Sequence, residues 1–150
     1  MKKTEKTTKE RFKACVSSYL ILEKDNKVLL HLRQNTGYAD GCYSLVAGHI
    51  DGNEPASLAM AREAKEEAGI IINPQDLQVM HIMHRISDRE NIDIFFHCKK
   101  WEGEIKNMEP HKCGELLFAD KDNLPKNTLE YVKKAISNTN SKIFYSELGW

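Results

Sequence analysis

The feature that most constrains this chain is a cluster of glutamates within residues 48–70, which read GHIDGNEPASLAMAREAKEEAGI. Glu63, Glu66 and Glu67 are three and four residues apart, so a helix would place their carboxylates within an arc of about 100°. Like charges at this spacing repel each other by roughly 0.2–0.5 kcal/mol per pair on an exposed helix. Carboxylate oxygens are ligands that Mg²⁺ and Mn²⁺ prefer, so a bound divalent cation would remove that repulsion.

The residues around the glutamates predict where this helix begins and ends. Pro55 suits the first helical position, and Gly69 suits the left-handed residue that follows a helix. Opposite the glutamates, the helix is predicted to carry a stripe of small and apolar residues that packs against a sheet: Leu58, Ala61, Ala64 and Ala68. A solvated acidic face beside Arg62 and Lys65 is the alternative interpretation of the same pattern.

The same stretch resembles the signature of the Nudix (MutT-like) hydrolase family, G-x5-E-x7-R-E-U-x-E-E-x-G-U with U apolar. Every specified position is filled, by Gly48, Glu54, Arg62, Glu63, Ala64, Glu66, Glu67, Gly69 and Ile70. The resemblance extends over residues 12–136. It implies an α/β fold, a Nudix-type α/β/α sandwich with a mixed β-sheet between helices. It also implies metal-dependent hydrolysis of a nucleoside diphosphate linked to another group.

The resemblance also implies roles for residues within the signature. Glu63, Glu66 and Glu67 would ligate the metal ion, Mg²⁺ or Mn²⁺, and Gly48 would bring the backbone close to the metal or to the phosphates. Arg62 would orient a glutamate through a charge-assisted hydrogen bond, and a surface ion pair is its alternative role. Gly48 would serve equally well in a plain turn.

Three further site residues lie outside the signature. Arg33 matches an arginine that many relatives place near the phosphates, and a solvent-facing arginine is the alternative. Asn127 matches a position that contacts the base in mutator-type enzymes, although an asparagine there also suits a helix N-cap. Glu109 lies in a polar loop, residues 106–114, that we expect to move over the phosphates. Because cations lower the basicity of the glutamates that ligate them, we assign Glu109 as general base or additional ligand, with Glu63 as the alternative.

The rest of the chain predicts strands and a second helix. Apolar or alternating runs at 14–23 and 28–33, joined by a polar turn, indicate one hairpin, and runs at 77–86 and 92–97 indicate another. Short strands are predicted at 44–46 and 116–118, with residues 47 and 48 turning the chain toward the acidic helix. Apolar residues at helical spacing predict a second helix over 128–136.

Composition limits the other functional classes. The 150 residues carry 22 basic and 22 acidic side chains, so the net charge gives no support to nucleic-acid binding. The four cysteines show no C-x-x-C spacing, which argues against a zinc site or a disulfide framework. No apolar run reaches the ~18 residues of a membrane span, so we expect a cytoplasmic protein without a membrane partner. We expect residues 1–12 to form a flexible basic arm and residues 13–150 a single domain; the oligomeric state stays open, a homodimer included.

Residues 84–88, HRISD, bear on the choice of substrate. Within the resembling family, ADP-ribose enzymes tend to carry a proline beyond the signature and dinucleoside polyphosphate enzymes a tyrosine, and this window contains neither. Elimination favours a nucleoside triphosphate, intact or modified, cleaved to the monophosphate and pyrophosphate. Two rival functions are a non-catalytic nucleotide sensor, which the complete set of glutamates counts against, and an RNA cap pyrophosphohydrolase, for which the basic arm is the one indication.

Overall fold

A computed structural model describes residues 9–150, which form eight strands and two α-helices. In chain order these are β1 (Cys15–Lys24), β2 (Lys27–Arg33), β3 (Tyr43–Ser44), β4 (Val46–His49), α1 (Ala56–Ala68), a 3₁₀ helix (Pro74–Asp76), β5 (Gln78–Ile86), β6 (Glu90–Cys98), β7 (Cys113–Asp120), α2 (Glu130–Asn140) and β8 (Tyr145–Leu148). Most of the predicted basic arm lies outside the described residues; residues 9–12 are exposed and belong to no helix or strand.

The strands form one mixed sheet in the order β3-β2-β1-β6-β5-β8, with β4 also paired to β1 and β7 to β2. Two pairs are parallel, β1 with β6 and β5 with β8, and the other pairs are antiparallel. Because β1 pairs with β2, β4 and β6, it lies at the centre of the sheet and connects the two hairpins. Neither helix of the described residues is long and apolar enough to cross a membrane.

The two faces of the sheet build separate cores, and alternation along β1 shows how. Leu20 and Leu22 pack with Met60, Ala64 and neighbouring apolar side chains beneath α1. Tyr19 and Ile21 point to the other face and pack with apolar residues of α2. Successive side chains of a strand point to opposite faces, so a fully apolar strand requires a cover on both sides. The predicted α/β/α sandwich with a mixed sheet is therefore confirmed.

Both predicted hairpins are present. The first turns at Asp25 and Asn26, which have φ of 52° and 64°, values that aspartate and asparagine tolerate better than most residues. The prediction for residues 44–48 is wrong in detail, since the chain forms two short strands, β3 and β4, with Leu45 between them. Gly48 lies inside β4 rather than in a turn, and the chain turns later, at Gly52 and Asn53, where φ is 79° and 54°. The pairing of β4 with β1 explains this extension, because residues 46–49 match Leu20 to Ser17 in register.

Helix α1 begins one residue later than predicted, with Pro55 as an extended residue before it, and ends as predicted at Gly69 with φ of 68°. The predicted apolar stripe is wrong in part. Ala64 and Ala68 are buried, but Leu58 is 49% exposed, while Met60 is completely buried. Met60 and Ala64 are four residues apart, as are Glu63 and Glu67, and the two pairs lie on the same side of α1. Two glutamates therefore share the inward side of the helix instead of facing away from the sheet.

Helix α2 also begins later than predicted, at Glu130, with Leu129 before it as the cap residue. The expectation that Asn127 caps this helix is therefore wrong. The Asn127 side chain instead donates a hydrogen bond of 2.8 Å from Nδ2 to the carbonyl oxygen of Gly41. That bond ties the start of α2 to the loop between β2 and β3.

Candidate active site

Arg62 is the centre of an ion-pair network with acidic residues of α1 and of the loop before it. Its Nη1 donates to Glu63 Oε1 at 2.9 Å and approaches Glu66 Oε2 at 3.4 Å. Its Nη2 donates to Glu54 Oε1 at 2.9 Å and lies 3.3 Å from Asp51 Oδ2. These acidic partners raise the pKa of Arg62, whose charge is permanent in any case. Arg62 is thus hydrogen-bonded to the carboxylate of Glu63, and its predicted role of orienting that glutamate stays a prediction.

Glu67 has the most perturbed carboxylate of the cluster. Burial, together with the negative charges of Glu63 and Glu109, raises its pKa from an ordinary value of 4.5 to about 8. The backbone N–H of Ala47 opposes this shift by donating to Glu67 Oε2 at 2.9 Å. Burial likewise raises the pKa of Glu63. Two adjacent carboxylates are therefore short of the positive charge that their ionised forms require.

Gly48 lies directly against Glu63. A Cβ added to Gly48 would stand 2.6 Å from Glu63 Cγ and would overlap the carboxylate itself. Only glycine leaves room for this side chain between β4 and α1. The glycine of the signature is therefore explained by close approach to a glutamate, and no positive φ is involved.

The predicted acidic residues line one open cavity of about 480 Å³. It is bounded by Glu63, Glu66, Glu67, Glu109, Arg33, His31, Asn35, Thr36 and Lys112. The structure thus brings together four glutamates from two parts of the chain and Arg33 from the end of β2. Asn127 and Glu115 are not among the residues that line this cavity. The carboxylate of Glu115 instead accepts a hydrogen bond from the hydroxyl of Tyr43, which raises the pKa of Tyr43 to about 12.

The loop that carries Glu109 is hydrogen-bonded to the end of α1. The N–H groups of Lys106 and Met108 donate to the carbonyl oxygens of Ala68 and Glu67, at 2.9 and 3.1 Å. The carbonyl of Glu109 itself accepts from the N–H groups of residues 112 and 113, both at 2.9 Å. These hydrogen bonds hold the loop beside the cavity, whereas the sequence predicts a loop that moves over the phosphates.

Arg33 extends from β2 over the rim of the cavity. Its Nε donates to the carbonyl oxygen of Tyr38 at 2.8 Å, and its Nη2 donates to Thr36 Oγ1 at 3.0 Å. Its Cζ lies 5.3 Å from the centroid of the Tyr38 ring. These contacts fix the guanidinium where it lines both the acidic cavity and a second, neighbouring chamber. The predicted contact of Arg33 with phosphates stays a prediction.

Sequence reasoning missed several residues of the cavity. His31 is two residues before Arg33 on β2, and period-two alternation places both on the same face of the strand. Burial and the charge of Arg33 lower the pKa of His31, which favours its neutral form. Lys112 follows Glu109 by three residues in the same loop. Both residues were therefore recognisable from their spacing to predicted ones, whereas Asn35 and Thr36 carry no comparable signal.

The donor set suits a hard divalent cation. Carboxylate oxygens are the ligands that Mg²⁺ and Mn²⁺ take, and the raised pKa of Glu67 marks a site in which added positive charge would be favourable. No three Asp, Glu, His or Cys side chains within residues 9–150 lie close enough together to hold an ion. Glu63 and Glu66 are instead ion-paired with Arg62. All four cysteines are free thiols and none belongs to the acidic cluster.

Comparison with known proteins agrees with this geometry. The chain is 35% identical over 114 residues to an ADP-ribose pyrophosphatase of Methanocaldococcus jannaschii, and the match covers 75% of this chain but only 66% of that relative. The fold superposes on a MutT NUDIX hydrolase of Burkholderia pseudomallei with a TM-score of 0.77 and 22% identity, covering 84% of this chain and 98% of that one. It also superposes on a MutT protein of Methanosarcina mazei with a TM-score of 0.75 and 17% identity, covering 86% and 94% of the two chains. Residues 11–137 match the model of the NUDIX domain family, and the chain belongs to the Nudix family of hydrolases.

Proposed function

We propose that this protein is a metal-dependent pyrophosphohydrolase that splits a phosphoanhydride of a nucleoside diphosphate-linked substrate. The observation that carries the proposal is the cavity in which Glu63, Glu66, Glu67 and Glu109 converge beside Arg33. A phosphoanhydride requires neutralisation of charge on its phosphates and a deprotonated water near phosphorus. Carboxylates that attract cations, together with a nearby arginine, suit both requirements.

Glu63, Glu66 and Glu67 would hold Mg²⁺ or Mn²⁺, with Gly48 leaving the space in which Glu63 lies. Such an ion, when bound, neutralises phosphate charge and lowers the pKa of a water molecule. Arg62 keeps its assigned role of orienting Glu63. The chain's own contribution is then to collect the carboxylates, to align them and to keep the substrate phosphates near Arg33.

Glu109 would act as the general base or as an additional ligand. It lines the cavity from a different segment than α1, and its charge acts on both Glu63 and Glu67. The backbone bonds of its loop hold it at that position, which favours a fixed base over a moving one. Glu63 stays the alternative base, because burial raises the pKa of its carboxyl, although the ion pair with Arg62 opposes that rise.

The substrate that we propose first is a nucleoside triphosphate, intact or modified, cleaved to the monophosphate and pyrophosphate. Arg33 would contact the phosphates, because it separates the acidic cavity from the second chamber that would hold the nucleoside. Asn127 would contribute to binding through the loop it holds at Gly41, which is the same loop that presents Tyr38. A small nucleotide is therefore the expected partner.

ADP-ribose is the second candidate substrate. The relative from Methanocaldococcus jannaschii is an ADP-ribose pyrophosphatase with 35% identity over 114 residues. Its name favours a nucleoside diphosphate linked to a sugar, whereas the absence of a proline from residues 84–88 favours the triphosphate.

A panel of substrates separates these assignments. Purified protein is incubated with nucleoside triphosphates, ADP-ribose or capped RNA, in Mg²⁺ or Mn²⁺, and the products are identified. Pyrophosphate from a triphosphate supports the first candidate, and AMP with ribose 5-phosphate from ADP-ribose supports the second. Binding without turnover at either metal would instead identify a nucleotide sensor and refute the proposed hydrolysis.

A further inference from the structure

A second chamber of about 340 Å³, which we call the inner chamber, adjoins the acidic cavity at Arg33. It is lined by Tyr38, Arg85, Arg89 and Tyr131 among others, and Arg33 lines both this chamber and the acidic cavity. A substrate whose phosphates lie near the glutamates would therefore extend its other end into the inner chamber. This inference rests on the proposed function, because it concerns the end of the substrate that does not react.

Arg85 is a tightly held side chain of the inner chamber. Its side chain is 10% exposed, and that of its partner Asp93 is completely buried. Arg85 Nε donates to Asp93 Oδ2 at 2.7 Å and Nη2 donates to Asp93 Oδ1 at 3.3 Å. The guanidinium also stacks on Tyr131, with Cζ 4.1 Å from the ring centroid. A side chain held from two sides loses little further freedom when it binds a ligand.

The bonds to Asp93 use only one of the two forks of the guanidinium. Arginine has five N–H donors, and the fork formed by Nε and Nη2 is occupied by Asp93. Within residues 9–150 no side chain or carbonyl accepts from the other fork, formed by Nη1 and the second N–H of Nη2. Arg85 thus brings two parallel donors to the lining of the chamber.

Two parallel donors select a group with two adjacent acceptors. Among nucleobases, guanine and hypoxanthine present O6 and N7 side by side, and an arginine fork matches that edge. Adenine presents an amino group in place of O6, which is itself a donor and would face an arginine N–H. The charge of Arg85 is already balanced by Asp93, so the fork is suited to a neutral carbonyl edge more than to a phosphate.

We propose that Arg85 is a specificity-determining residue whose free fork binds the O6 and N7 edge of a purine. The protein therefore prefers substrates of guanine or hypoxanthine to the corresponding adenine substrates. Asp93 and Tyr131 are positioning residues, since they hold the guanidinium of Arg85 in place.

The test compares ITP with ATP, whose bases are identical except that ITP has a carbonyl in place of the 6-amino group and therefore a hydrogen on N1. We expect the wild-type kcat/KM to be at least about tenfold higher for ITP, since a site built for an acceptor is left unpaired by a donor. The variant Arg85→Lys keeps a charge for Asp93 but lacks the fork. It should raise KM for ITP by roughly tenfold or more, leave kcat nearly unchanged and bring the ITP to ATP ratio close to one.

Arg89→Lys is the matched control, because Arg89 lines the same chamber but lies at the exposed turn, where its Nε donates to Asn91. It should leave the ITP to ATP ratio unchanged. Should Arg85→Lys fail to fold, the double variant Arg85→Met with Asp93→Leu removes the ion pair and the fork together, and it should show the same loss of preference. A wild-type protein without preference, or an Arg85→Lys variant that raises KM equally for both nucleotides, would overturn the proposal.

Binding of the monophosphates IMP and AMP, measured by calorimetry, separates this inference from the proposed hydrolysis. Tighter binding of IMP that is lost in Arg85→Lys supports the role of Arg85 even if neither triphosphate is hydrolysed. Turnover of both triphosphates at equal rates, together with equal binding of IMP and AMP, refutes the role of Arg85 and leaves the hydrolysis proposal intact.

Discussion

Substitution of Gly48 by alanine should lower the activity of the protein without lowering its stability. The added Cβ would stand 2.6 Å from Glu63 Cγ and overlap its carboxylate, so Glu63 must leave its place beside Arg62. Gly48 lies in β4 and its φ is not in the left-handed region, so its backbone accepts alanine without strain. The side chain that yields is the flexible glutamate, and the strand does not need to move.

The size of the effect follows from this overlap. Ordinary contacts of a Cβ lie at 3.4–4 Å, so the carboxylate must retreat by more than about one ångström, and a displacement of that size costs on the order of 10²-fold in rate. That loss corresponds to about 2.7 kcal/mol of activation free energy. The free energy of unfolding should change little or increase slightly, since alanine restricts the unfolded chain more than glycine does.

The assay is kcat at saturating metal, with urea unfolding of the same protein samples. A double-mutant cycle with Glu63→Gln shows whether the alanine acts through Glu63. If it does, the double variant should have a kcat no lower than that of Glu63→Gln alone, because Gly48→Ala then disturbs a carboxylate that Glu63→Gln has already removed. Near-normal turnover of Gly48→Ala, or a multiplicative loss in the double variant, would refute this explanation of the glycine.

Three further predictions follow from particular contacts. Glu109→Gln should lower kcat by roughly 10²–10⁴-fold with little change in KM, whereas Glu115→Gln, outside the cavity, should do much less; steady-state kinetics of both variants decides this. Asp93→Asn leaves the charge of Arg85 buried and should lower the free energy of unfolding by about 3–5 kcal/mol, measured with urea, and a loss below about 1 kcal/mol would contradict the tight ion pair. The pKa of Glu67 rises from 4.5 to about 8 on folding, so the metal-free protein should lose stability as pH increases through that interval. Glu67→Gln should remove most of this dependence. Unfolding curves recorded with a chelator at several pH values measure it. If the free energy of unfolding depends on pH in the same way for the wild-type protein and for Glu67→Gln, then Glu67 is not a buried carboxylate with a raised pKa.

The two hairpins and the boundaries of α1 were predictable because local patterns determine them. Residues 24–27 supply aspartate and asparagine for a tight turn with positive φ, and the flanking runs are apolar enough to form paired strands. Gly69 ends α1 for an equally local reason, since its φ of 68° is strained for a residue with a side chain. Such features need no knowledge of the tertiary structure.

The orientation of α1 depends on the sheet and was predicted only in part. A helical wheel separates glutamates from alanines, but it does not show which side the sheet will cover. The N–H of Ala47 donates to Glu67, and Gly48 leaves space for Glu63, so β4 accepts two carboxylates at the edge of the core. The first contact joins residues 20 positions apart and the second joins residues 15 positions apart, and both depend on how β4 pairs with β1.

The inner chamber was not predicted, because the contacts that form it cross between strands. Arg85 and Asp93 are eight residues apart on paired strands, in a register shifted by an irregularity between Val79 and His81. A one-residue error in that register would move Arg85 to the other face of the sheet. Spacing in the sequence therefore gave no reason to connect the two residues.

The carboxylates and the arginines of the two cavities lie on different elements of the fold, and this affects the kinetics expected of their variants. The carboxylates come from α1 and from the loop at 106–114, whereas Arg33 and Arg85 come from β2 and β5. Changes in the first group alter groups that act on the reacting phosphorus, and they should lower kcat. Arg85 lies in the other chamber, so its replacement should change KM and base preference while kcat persists. Arg33 borders both chambers, and its replacement is the one change that should alter kcat and KM together, since it affects the position of the phosphates as well as the binding of the nucleotide.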